Sequence, residues 1–138
     1  MIRSYSEMLQ YPSFMERFRY LMLNGQVGDA TFGGRRYLNQ AFYSSSEWKR
    51  TRRRVIIRDN GCDLGVEGYA IHGPIYVHHL NPITMDDIEE RSPKLFDMEN
   101  LICVSYLTHE AITYGSEDIL PKDPVVRKPN DTCPWRKQ

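Results

Sequence analysis

The chain has 138 residues, with 18 Lys and Arg against 18 Asp and Glu. This length fits one domain with extensions, and the balanced charge gives no overall polyanion signature, so any nucleic-acid contact has to come from local clustering. No apolar run approaches the ~18 residues of a membrane span, and no signal-peptide core follows the first basic residue. Cys62, Cys103 and Cys133 are far apart and odd in number. The expectation is a cytoplasmic chain with reduced thiols, no disulfide framework and no membrane partner.

Met1 to Gly25 reads as helical, with Pro12 suited to a first helical turn and Gly25 to a stop. Phe14, Phe18, Leu21 and Met22 share a face at helical spacing, while Glu16, Arg17 and Arg19 do not. The stripe is core, or a cover laid on the rest of the chain; a partner-binding or dimer helix is the sharper alternative. Between Gln26 and Ser45, Gly28, Gly33 and Gly34 interrupt any long element. Arg35, Arg36, Tyr37, Phe42 and Tyr43 mix cations with aromatics there, a composition that either tracks a nucleic-acid backbone or supplies core rings and a solvated edge.

A second helix runs from Ser46 to about Asp59 and stops at Asn60-Gly61. Its inward face is Trp48, Thr51 and Val55, with Arg52 as a further candidate. Six cations stand against the single Glu47 over Ser46 to Arg58. Lys49, Arg50, Arg53, Arg54 and Arg58 are therefore candidate DNA-phosphate contacts, which position a duplex without reading its sequence. Cys62-Asp63-Leu64 reads as a short first strand and Ile75-Tyr76-Val77 as the second. Glu67 and His72, in the glycine-rich connection, read as ordinary surface residues. Ile83 to Glu99 is acidic, with a short helix from a Thr84 cap to about Arg91, and forms a solvated wall or a partner surface. A last helix, Tyr106 to Tyr114, lies between an N-cap at Ser105 and a stop at Gly115. Beyond it, Pro121, Pro124, Pro129 and Pro134 argue for an extended tail whose basic end suits DNA or a protein partner equally.

The chemistry concentrates in Val77-His78-His79-Leu80-Asn81-Pro82, with Asn100-Leu101 and then His109. Three of the four histidines lie here. Phosphodiester hydrolysis needs a water, a base to take its proton and a cation to absorb charge. Neighbouring strand residues point to opposite faces, so His78 and His79 at a strand end can flank a phosphate.

This pattern resembles the HNH endonuclease family, closest to small phage-encoded members, from about Phe42 to Gly115. The resemblance implies an α+β fold with a ββα-metal (His-Me finger) core at residues 45–115, preceded by a helical extension, 1–44, and followed by a proline-containing tail, 116–138. It implies His79 as general base, Asn100 as the residue orienting the loop between the second strand and the helix, and His78 and His109 as ligands of one divalent ion. Magnesium or manganese is expected, with nickel, cobalt and zinc as further candidates. The partners it implies are DNA and, in a phage setting in the host cytoplasm, terminase and portal proteins.

Two departures accompany the resemblance. Where many relatives carry a second helix histidine this chain has Thr113, a further candidate ligand. Where relatives often carry two Cys-x-x-Cys pairs around a structural zinc, the positions hold Cys62 and Gly65, then Ser105 and Thr108. A four-cysteine zinc site is excluded, and the fold is expected to hold by packing alone. The expected function is metal-dependent DNA cleavage. A DNA-binding or packaging accessory protein that kept the fold with weak catalysis is the alternative, and a toxin or defence nuclease would use the same site.

Overall fold

A computed structural model describes residues 2–23 and 36–121, with the backbone alone over 36–39. The fold is α+β, a two-stranded antiparallel sheet between two groups of helices. Residues 24–35 and 122–138 lie outside the described residues, and with them Arg35, Cys133 and the tail's basic end; so do the side chains of Arg36 and Tyr37.

Helix α1 (Tyr5–Met8) is capped by Ser4 and helix α2 (Phe14–Leu21) by Ser13. The N-terminal region expected to be helical forms two short helices, with Pro12 between them and outside any first turn. The cause is local: the Ser13 hydroxyl accepts from the Glu16 amide, and the Glu16 carboxylate accepts from the Ser13 amide, so a new helix starts directly after the proline. Phe14, Phe18 and Leu21 are buried as the spacing predicts. Arg17 departs from it. Its side chain is buried, with Nε donating to the Tyr11 carbonyl at 2.7 Å and a terminal nitrogen to the Leu64 carbonyl at 2.9 Å.

Helix α3 (Arg36–Ser44) leads through the Ser45 cap into helix α4 (Ser46–Arg58), which buries Trp48, Thr51 and Val55. The sheet consists of β1 (Tyr76–His79) and β2 (Leu101–Val104), paired Tyr76 with Val104 and His79 with Leu101. This corrects the expected strand pair. Cys62 makes only one bridge, to Ala70, and Asp63–Gly65 is a 3₁₀ turn in which Leu64 and Gly65 take φ of 54° and 66°. A left-handed backbone at two successive positions ends extended structure there.

All four residues of β2 are fully buried. Ile102 and Val104 pack with Met8, Phe18, Leu21, Ala111 and Ile112, whereas Leu101 and Cys103 pack with Trp48, Val55, Ile83 and Leu95. The first face is covered by α1, α2 and helix α6 (Tyr106–Tyr114). The other is covered by α3, α4 and helix α5 (Met85–Glu89), which starts at the Thr84 cap. The N-terminal residues thus share a core with β2 and α6.

The expectation that packing alone replaces a zinc is also corrected. Buried Asp63 accepts from the Ser105 amide and hydroxyl and, at 2.6 Å, from the Thr108 hydroxyl. One carboxylate therefore ties the 3₁₀ turn to the start of α6 through Ser105 and Thr108. Hydrogen bonds to a charged acceptor are worth about 1.5–3 kcal/mol each.

Candidate functional site

Strand alternation decides where the two adjacent histidines go. Their register partners Ile102 and Leu101 face opposite cores, so His78 turns toward α6 and His79 toward α4. Strand β1 pairs on one side only among the described residues. Side chains from both faces reach a cavity of about 290 Å³ that takes in all of β1, together with Leu23, Tyr43, Pro82, Ile83, His109 and Thr113.

On the α6 side, the His78 and His109 rings lie 5.3 Å apart at 74°. His78 Nε2 is buried with no hydrogen-bond partner among the described residues. A buried imidazole nitrogen left unpaired is costly unless something else takes its lone pair. His109 and Thr113 are one helical turn apart, and both face the cavity. Burial first, and then the neighbouring His109, His79 and Arg3, hold the His78 pKa well below the usual imidazole range. Burial also lowers that of His109. Both rings are thus kept neutral, the form that ligates metal.

On the α4 side, His79 Nε2 lies 3.1 Å from the Leu95 carbonyl. A carbonyl only accepts, so Nε2 carries the hydrogen and, in the neutral ring, Nδ1 keeps a free lone pair. Burial pulls the His79 pKa down to about 4, against a smaller upward pull from the Leu95 bond. The ring is therefore neutral at physiological pH and a weaker base than a free imidazole.

Asn100 sits at the entry to β2, and its partners lie in the segment expected for it, between Ile75-Tyr76-Val77 and the last helix. Its Oδ1 accepts from the Asn81 amide at 2.9 Å and from Asn81 Nδ2 at 2.7 Å, while its own Nδ2 donates to the Lys94 carbonyl at 3.1 Å. It therefore pins the connection between β1 and β2 at two points, two residues after His79 and one residue before Leu95. Asn81 extends the clasp to the N-terminus, accepting from the Arg3 amide and donating to the Arg3 carbonyl. Sequence reasoning missed Asn81, although it stands in the quoted motif. It also took Trp48 only as core, whereas its indole lies against His79.

Among the basic candidates, Lys49, Arg50, Arg53 and Arg54 are exposed on α4 and form no ion pair among the described residues. Arg58 does not join them. Its guanidinium pairs with Asp59, donates to the carbonyls of Met98 and Leu101, and lies 3.6 Å over the Tyr5 ring. A cation held by that many internal acceptors is a brace of the fold. Arg52 likewise donates to the Ile75 carbonyl at 2.7 Å. Glu67 is exposed and takes no part in the cavity wall.

His78, His109 and Thr113 line one cavity, and among the described residues there is no group of three or more His, Cys, Asp or Glu side chains that could hold a metal ion. An ion held there would have two imidazoles and at most one hydroxyl as protein ligands. Such a site leaves coordination positions for water and phosphate. No helix among the described residues is long and apolar enough to cross a membrane. Comparisons with protein-family models, curated proteins and solved structures give no match.

Proposed function

We propose that the protein is a divalent-metal-dependent DNA endonuclease with a ββα-metal core made of β1, β2 and α6. The observation that carries this reading is the buried Nε2 of His78, unpartnered among the described residues, beside His109 in a cavity whose other wall is a neutral His79. His78 and His109, with Thr113 beside them, would hold the ion, which when bound supplies positive charge to the phosphate and the departing oxygen. His79 Nδ1 takes the proton of a water as its oxygen attacks phosphorus. The bond from phosphorus to the 3′ oxygen breaks, leaving a 5′ phosphate and a 3′ hydroxyl. Asn100 and Asn81 hold the segment that follows His79, and the Leu95 carbonyl fixes its tautomer. Lys49, Arg50, Arg53 and Arg54 supply phosphate contacts that set the position of DNA. The resemblance to phage proteins extends the proposal to a role beside terminase and portal.

A second reading, a DNA-binding or packaging accessory protein with weak catalysis, is favoured by the small donor set, in which Thr113 stands where a third imidazole would complete the site. Incubating the protein with supercoiled plasmid and magnesium, manganese, cobalt, nickel or zinc separates the two. Metal-dependent nicking that His79→Ala abolishes supports the nuclease; retarded but intact DNA with every ion selects the accessory protein.

A further inference from the structure

Tyr76, in the wall of this cavity, belongs to an aromatic pair that the cleavage chemistry does not use. Tyr76 opens β1 on the same face as His78 and is 40% exposed. Its ring lies nearly parallel to that of His109, centroids 6.1 Å apart at 15°, and 6.0 Å from the ring of Tyr106, which is 53% exposed. Single exposed aromatics are unremarkable on a protein surface. Here two touch each other, and one touches a candidate metal ligand.

Both rings are held from beneath. Tyr76 is fixed by its pairing with Val104. Tyr106 follows the Ser105 cap, which Asp63 anchors. Ring faces presented this way suit a flat, apolar-faced partner with little further loss of side-chain freedom. A nucleobase has such a face only when it is out of its duplex stack, because in a duplex both faces are covered.

We infer that Tyr76 and Tyr106 form a stacking surface for an unpaired base beside the scissile phosphate, so that the protein takes DNA with single-stranded character in preference to intact duplex. The inference rests on the proposed nuclease reading for the place of the phosphate, and it names the substrate form of that same site.

It is tested by binding without cleavage. In EDTA, fluorescence anisotropy compares a labelled oligothymidine with a hairpin duplex of matching length, on the full chain and on Tyr76→Ala, Tyr106→Ala and Tyr76→Phe. The expected result is tighter binding of the single strand, weakened about tenfold by either alanine and unchanged by phenylalanine, with the duplex unaffected by all three. Equal losses on both forms of DNA, no loss on either, or a phenylalanine variant as weak as the alanine one would overturn the stacking surface. Tyrosine-dependent strand binding by a protein that cleaves nothing with any divalent ion upholds the surface and removes the nuclease. Duplex nicking that ignores both alanine substitutions does the reverse.

Discussion

The imidazole of His79 is stacked on the indole of Trp48, ring centroids 5.4 Å apart and planes 21° from parallel. Trp48 is the fourth residue of the Ser45-capped helix start, with Tyr43 against its edge and Phe42 beside both. The helix that carries the exposed basic residues therefore also sets the plane of the candidate base. The Leu95 carbonyl holds Nε2 of the same ring, and Phe42 lies beside it.

Trp48→Phe should keep a ring under His79, whereas Trp48→Leu should not. The expected outcome for Trp48→Leu is a fall in kcat with little change in KM, a displaced His79 ring-proton resonance, and a stability loss of about 2–4 kcal/mol from the space left in the core. Trp48→Phe should recover most of kcat and of the resonance position. Parallel losses of stability and activity in both variants, with the resonance unmoved, would reduce Trp48 to packing.

His79→Ala should lower plasmid cleavage about 10²–10⁴-fold, the usual size of a general-base contribution, while calorimetric manganese affinity stays near that of the parent. His78→Ala should weaken manganese binding. A His79 variant that loses metal along with activity would place that imidazole among the ligands.

Two imidazole donors are softer than the all-oxygen shell that magnesium prefers. Cleavage with manganese, cobalt or nickel is therefore expected to equal or exceed that with magnesium. Initial rates measured ion by ion decide this, and a clear advantage for magnesium would count against ligation by His78 and His109.

Thr113 faces the same cavity as His78 and His109 but is only 2% exposed. Thr113→His should tighten metal binding by adding an imidazole one turn after His109, at a cost of about 1–3 kcal/mol for the larger side chain. Isothermal titration with manganese and urea unfolding read the two effects separately. Unchanged affinity would mean that position 113 does not reach the ion.

Asp63→Ala should destabilise the chain by about 3 kcal/mol in urea unfolding, since the Ser105 and Thr108 groups lose a shared buried acceptor. Burial outweighs these hydrogen bonds and holds the Asp63 pKa above the ordinary carboxylate range. A carboxyl group whose folded pKa is raised binds more protons when folded, so its own contribution favours the folded state as pH falls and is lost as pH rises through that window. Asp63→Asn should remove this slope, seen by comparing parent and variant in acetate and in neutral buffer. An unchanged slope would assign it to other groups.

Local signals made the helices around the site legible from the residues alone. Ser105 and Gly115 bracket α6 where expected, Thr84 caps α5, and Trp48, Thr51 and Val55 turn inward on α4. The motif His78-His79 with Asn100 and His109 also named residues that the fold brings together, Asn100 acting through Asn81. The helix boundaries depend on neighbours a few residues apart, which is the range over which capping and helical period act; the motif, spread over residues 78–109, is read from its resemblance to a known pattern.

Tertiary structure decided what depends on distant partners. The run Leu101-Ile102-Cys103-Val104 has no alternation to mark it as a strand, because both of its faces are buried. Arg17, Arg58 and Asp63 look like surface charges until carbonyls and hydroxyls 40 or more residues away accept from or donate to them. Which wall of the cavity each adjacent histidine joins was set by pairing His78 with Ile102 and His79 with Leu101, and a shift of one residue in that register would have exchanged them.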